Sequence, residues 1–171
     1  SDRKIWFGGP SGLYQITGNK IRKINIPGEA SLSAVNCIVE DGNRNIWIGT
    51  KNGGLLLLDL QGKLLARYTV KEGLADNNVL GVIPYDKAEI WISTGKGLSR
   101  FDASHEIFYS YTEADGIAGR IFNNNSYYKS SKGEFFFVGY DGLTSFFPDQ
   151  IEINTLQSPL YLTSLKIHNS G

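Results

Sequence analysis

Apolar residues in this chain fall in short runs, separated by polar turns rich in glycine and asparagine. The stretch from Asn45 to Asp59, NIWIGTKNGGLLLLD, shows the unit: a short strand, a Gly-rich turn and a second strand. The pattern occurs four times. It also reads as KIWFGGPSGLYQI from Lys4 to Ile16, as EIWISTGKGLSRFD from Glu89 to Asp102 and as EFFFVGYDGLTSFFPD from Glu134 to Asp149. The aromatics Trp6, Trp47, Trp91 and Phe136 follow one another at 41, 44 and 45 residues, and a glycine stands six residues after each, at Gly12, Gly53, Gly97 and Gly142. A period of that size marks a repeat architecture.

Further strands fill each period. Val35 to Val39 (VNCIV) and Val79 to Ile83 (VLGVI) are nearly all apolar, which predicts strands buried on both faces. Polar turns follow at Gly42 to Asn45, Tyr85 to Ala88 and Ser130 to Gly133. The aromatic strand comes next, then the Gly turn, then a third strand such as Leu55 to Leu58 or Leu98 to Phe101. Glycine permits the positive φ that such turns need. A fourth strand, at Lys20 to Asn25, Leu64 to Val70 and Ile107 to Tyr111, mixes polar and apolar positions and suits an outer edge.

Four short antiparallel strands per period predict an all-β fold: a β-propeller fragment of about three and a half four-stranded blades. The units run about 1–28, 29–72, 73–113 and 114–157. The first lacks its first strand and the last lacks an obvious fourth. A β-sandwich is the alternative, but it does not require one aromatic and one glycine at a fixed period. The aromatic of the second strand should lie between neighbouring blades. An open arc leaves apolar blade faces and strand edges uncovered, which predicts either a larger propeller or a homo-oligomer joined through those edges. After Phe147-Pro148 the repeat ends, and Leu160 to Ile167 alternates like one strand of a following β domain, placed at 158–171. The absence of methionine, even at position 1, marks a piece of a longer or processed chain.

Composition narrows the function. Lys+Arg and Asp+Glu both number 17, a balance that disfavours nucleic acid as a partner. No apolar run is long enough to span a membrane. The single cysteine, Cys37, lies in a buried-type strand and reads as core. With His105 and His168 it offers no metal-ligand spacing, and Gly95-Lys96-Gly97 is a hairpin turn rather than a phosphate loop. No catalytic residue, metal or cofactor is therefore assigned. Asp41 to Trp47 is similar to the Asp-box turn of sialidases, although an Asp capping its own turn explains it as well. Glu113 and Asp115 are the pair nearest to a glycosidase arrangement, which separation in space decides.

The residues IWIGTKNGGLLLLD, preceded by VNCIVEDGNRN, resemble the two-component regulator propeller repeat. The last unit resembles the final blade of such sensors in Phe122-Asn123, Gly139, Gly142, Phe147-Pro148, Ile151 and Asn154, while Arg120 and Ile121 depart from it. SPLYLTSLKIHN resembles the opening strand of the triple-tyrosine domain that follows these propellers. The resemblance implies a periplasmic sensor region of a hybrid two-component histidine kinase of the Bacteroidetes type. That region ordinarily holds two seven-bladed propellers and the triple-tyrosine domain, and the membrane helix, kinase, receiver and DNA-binding parts come after. Its ligand would be a glycan-derived oligosaccharide and its output polysaccharide-utilisation genes.

A binding face is expected where the loops into each first strand meet the turns between second and third strands. The loops are Glu72 to Asn78 and Ala114 to Asn125, and the turns carry Lys51-Asn52, Lys96 and Tyr140-Asp141. Amides, a guanidinium and aromatic rings suit a sugar's hydroxyls and C–H faces. The candidate ligand residues are Lys51, Asn77, Asn78, Arg120, Phe122, Asn123, Asn124 and Tyr140. Each Asn has a plainer reading as a turn residue that tolerates left-handed backbone. The competing functions are a propeller scaffold for a protein partner or a second copy, and a glycan-cleaving propeller.

Overall fold

The computed structural model describes residues 4–26 and 34–151. These form four antiparallel sheets, each a simple meander. The first holds β1 (Lys4–Gly9), β2 (Gly12–Thr17) and β3 (Lys20–Ile24). The second holds β4 (Val35–Glu40), β5 (Ile46–Thr50), β6 (Leu55–Leu58) and β7 (Leu64–Tyr68). The third holds β8 (Val79–Pro84), β9 (Glu89–Thr94), β10 (Gly97–Asp102) and β11 (Ile107–Tyr111). The fourth holds β12 (Phe122–Lys129), β13 (Phe135–Gly139) and β14 (Leu143–Phe146). Two full blades are thus flanked by two three-stranded ones. Blade 1 lacks an inner strand and blade 4 an outer one among the described residues. The strand assigned to a following domain lies outside them.

Period-2 alternation decides what each blade shows its neighbours. Trp47 is 2% exposed and points from blade 2 onto Phe101 of blade 3, ring centroids 6.0 Å apart. Trp91 does the same from blade 3 onto Phe146 of blade 4, at 4.6 Å. Residues flanking the aromatic point the other way. Ile46 and Ile48, Ile90 and Ile92, and Phe135 and Phe137 are all buried against the preceding blade. Blade 1 has no described predecessor, and its equivalents Ile5 and Phe7 are 53% and 40% exposed. At the other end, Phe136 is only half-buried and Tyr128 beside it is exposed. Both ends of the arc are therefore open apolar blade faces.

Two expectations need correction. The strand from Val35 is not buried on both faces: β8 is buried along nearly its whole length, but in β4 only Cys37 is. β8 lies between two inner strands, β4 and β12, whereas β4 meets β1, the second strand of a blade without a described inner one. The turn glycine of blade 2 is Gly54, not Gly53. Gly54 has φ 78, and its N–H donates to Asn77 O as the Gly97 N–H (φ 114) donates to Arg120 O. A Cβ at Gly54 would lie 2.2 Å from Tyr68 O, so this turn is one residue longer and its glycine is fixed by both φ and space.

Cys37 is core, as expected. Burial pushes its thiol up to about 12, and burial likewise pushes the Tyr127 phenol up to about 12. Both acids are raised in the folded state. Their neutral forms therefore contribute stability in full below the unfolded values, near 8.5 for Cys and about 10 for Tyr, and lose it as pH rises towards 12. Alkaline titration followed by intrinsic fluorescence should show stability falling above about pH 9, with Cys37 unreactive to thiol reagents until unfolding. Rapid labelling at pH 8 in the native state would contradict that burial.

Candidate functional site

The loops entering β8 and β12 are built alike. The N–H and Oγ1 of Thr69 both donate to Glu72 Oε2 at 2.7 Å, and those of Thr112 donate to Asp115 Oδ2 at 2.8 and 3.1 Å. Hydrogen bonds from Thr69 hold the Glu72 carboxyl below its usual range. Each loop then plugs into its own blade. Ala75 N donates to the buried Ser99 Oγ at 3.1 Å, and Ala118 N to Thr144 Oγ1 at 3.0 Å.

From there each loop ties two blades together. Asn77 O accepts from Gly54 N of the preceding blade, and Asn78 O accepts from Gly95 N of its own. Arg120 O accepts from Gly97 N, and Ile121 O from Tyr140 N. Lys51 N donates to Ala34 O in the same fashion. This chain of bonds brings the turns and loops singled out in the sequence onto one rim.

The candidate residues divide into two groups. Asn77 and Asn78 are structural: the Oδ1 of Asn77 accepts from Val70 N at 2.9 Å, and that of Asn78 from Asn36 Nδ2 at 3.3 Å. Phe122 is 3% exposed and packs on Phe137, so its ring belongs to the core between blades 3 and 4. Lys51 and Asn124 are exposed, Asn123 is half-buried, and Tyr140 is the most open aromatic of the described residues at 79%. The Arg120 guanidinium is exposed but paired with Glu113 Oε2. Asn125, which sits at φ 56 beside Asn124, and Asp141, whose carboxylate crowds Gly119, lie in the loop and turn expected to form the face but were not among the candidate ligand residues. The run Asn123-Asn124-Asn125 was the only signal for the first.

The enzyme-like motifs dissolve into capping. Asp41 accepts from Asn43 N and Asn45 N through Oδ1 at 2.8 and 2.9 Å, and from Trp47 Nε1 through Oδ2 at 2.8 Å. It is a turn cap that also satisfies the buried indole. Arg120 holds the Glu113 carboxyl below its usual range, the reverse of what a general acid needs, and Asp115 is spent on Thr112. Among the described residues no group of three or more His, Cys, Asp or Glu could hold a metal, and no helix is long and apolar enough to cross a membrane.

Residues 30–52 match the family model described as the two component regulator propeller. That segment carries the two-component regulator propeller repeat. Over 180 residues, all of this chain, the sequence is 30% identical to "Histidine kinase P4" of Formosa agariphila. It spans 13% of that relative's length. A solved structure described as the extracellular domain of a hybrid two component system, BT4673 of B. thetaiotaomicron, superposes with a TM-score of 0.70 at 16% identity, over 96% of this chain and 21% of that one. The corresponding domain of BT3049 gives 0.52 at 22% identity, over 98% and 31%. At these identities the structural likeness establishes the propeller fold.

Proposed function

We propose that this chain is part of the extracytoplasmic sensing propeller of a hybrid two-component histidine kinase, and that its loop rim takes a glycan-derived oligosaccharide. The observation that carries the ligand reading is the rim itself. Tyr140 offers an open aromatic face on a turn whose N–H donates to Ile121 O, in the loop between Arg120 and Asn123 that Gly97 N ties to the preceding blade. Aromatic faces stack on sugar C–H surfaces and amides bond hydroxyls. The likeness to a histidine kinase over the whole chain supports the signalling context. Placement in the periplasm, a triple-tyrosine domain from 158 and control of polysaccharide-utilisation genes belong to the same proposal. The bound sugar would favour one of two receptor arrangements through differential affinity.

Thermal unfolding of the full-length protein against an oligosaccharide panel tests this. A true ligand at about 100 times its dissociation constant adds roughly 2.7 kcal/mol, and a Tyr140→Ala variant should lose most of the shift. Silence across plant, host and microbial panels would remove the carbohydrate reading. The exposed Ile5 and Phe7 at one end, with Tyr128 and Leu143 at the other, support the second reading. In it the blade faces hold further blades, a protein partner or a second copy.

A further inference from the structure

Each inner strand bulges at the same place. In β4, Val35 pairs with Thr50 and Cys37 with Gly49, leaving one extra residue, Asn36. In β8, Leu80 is the extra residue between Val79 and Gly81. In β12, Phe122 pairs with Gly139 and Tyr127 with Phe137, so Asn123 to Ser126 stand opposite Val138 alone. Blade 4 therefore carries two more residues than the other blades at this position, both of them on an edge strand. β12 packs beside β8 and approaches β4, so this edge faces the axis on which the inner strands converge.

The bulge is pinned at both ends. Phe122 is buried, and the Tyr127 ring presses on β8 so closely that a Cβ at Gly81 would lie 2.2 Å from it. Between the pins, Asn125 is held at φ 56, in the left-handed region, and Asn124 and Asn125 are exposed. Their equivalents are used up: the Asn36 amide donates to Val79 O at 2.8 Å and joins blades 2 and 3, and Leu80 is in the core. The side-chain amides of Asn123, Asn124 and Asn125 bond no other described residue. Bulges gather next to binding sites, and a strained residue that persists is held by its surroundings.

We infer that Asn124 and Asn125 form a blade-specific subsite for a neutral oligosaccharide, on the strand paired with the one that leads to Tyr140. The inference rests on the oligosaccharide reading above and names the ligand's charge class. An Asn amide offers both donors and acceptors, which matches the two-way hydrogen bonding of a hydroxyl. The nearest cation on this loop, Arg120, is already paired with Glu113, and Asp141 adds a negative charge beside Gly119. A uronate or sulfate would find no uncompensated guanidinium there.

The test is calorimetric titration of the full-length protein with cello-, xylo-, manno- and arabino-oligosaccharides as neutral probes and oligogalacturonate as the acidic one. The double variant Asn124→Ala/Asn125→Gly removes both amides while glycine keeps the left-handed backbone. It should bind the neutral probe about tenfold more weakly with an unchanged melting temperature, as expected for roughly 1.4 kcal/mol of lost contacts. Asn36→Ala should do the reverse, lowering the melting temperature and leaving affinity alone. Should the double variant fold poorly, Asn124→Ala alone gives the readout, since that exposed side chain bonds nothing in the described residues. Full affinity in the variants would overturn the subsite and leave the oligosaccharide reading standing. Tighter binding of oligogalacturonate than of any neutral probe would overturn the charge class. No heat with any probe would overturn both readings.

Discussion

Replacing Trp47 with alanine is expected to cost about 3–5 kcal/mol of unfolding free energy, the range for large-to-small changes at buried aromatics. The indole is 2% exposed, stacks on Tyr68 of its own blade at 6.0 Å and meets Phe101 of the next edge-to-face at the same distance. Its Nε1–H is satisfied by Asp41, which also caps the preceding turn. Truncation opens a cavity between two blades and strips Asp41 of one partner. The same change at Trp6 should cost less than half as much. Trp6 is half-buried, and its Nε1 has no hydrogen-bond partner among the described residues. Urea unfolding of the two variants checks the difference, and equal losses would mean that the blade 2–3 seam is no tighter than the blade 1–2 seam.

Glu89→Ala is the second large effect, expected at about 3 kcal/mol, because removing one partner of a buried ion pair leaves the other charge stranded. Arg100 Nη2 lies 2.5 Å from Glu89 Oε2, and the two side chains are 15% and 13% exposed. Trp91 Nε1 donates to the other carboxylate oxygen at 2.7 Å, and the guanidinium sits 6.0 Å from the Trp91 ring centroid and 5.9 Å from that of Tyr109. Alanine would thus deprive a cation of its carboxylate and an indole N–H of its acceptor together. In blade 2 the residue opposite the tryptophan is Leu57, where blade 3 has Arg100. A double variant, Glu89→Ala/Arg100→Leu, should therefore recover part of the loss. A single-variant cost below about 0.5 kcal/mol would show that water reaches the pair as it does at an exposed ion pair.

The two seams show which parts of this molecule a sequence can carry. Blade strands were legible because their determinants are local. Side chains alternate with a period of two, and a glycine is needed wherever the turn requires positive φ. The aromatic position was legible for the same reason. The misassigned glycine of blade 2 came from neighbours: Gly53 and Gly54 are adjacent, and only the bond from Gly54 N to Asn77 O, between distant residues, separates them.

The candidate site was legible as a region and not as a set of side chains. The sequence alone placed the loops and turns on one rim, since strand order dictates which connections share an end of the sheets. It could not apportion the asparagines. Asn36, Asn77, Asn78 and Asn124 are the same residue in similar polar contexts, yet the first three are consumed by bonds to Val79 O, Val70 N and one another. Whether an amide is spent depends on what chain segments 7 to 43 residues away bring to it. The lengthened bulge in β12 likewise exists only as a difference of register between paired strands. Repeat, blade and turn chemistry were fixed by local periodicity and φ preference. The free amides, the paired arginine and the two open apolar faces were decided by tertiary contact, because burial and hydrogen-bond satisfaction belong to pairs of segments rather than to any one of them.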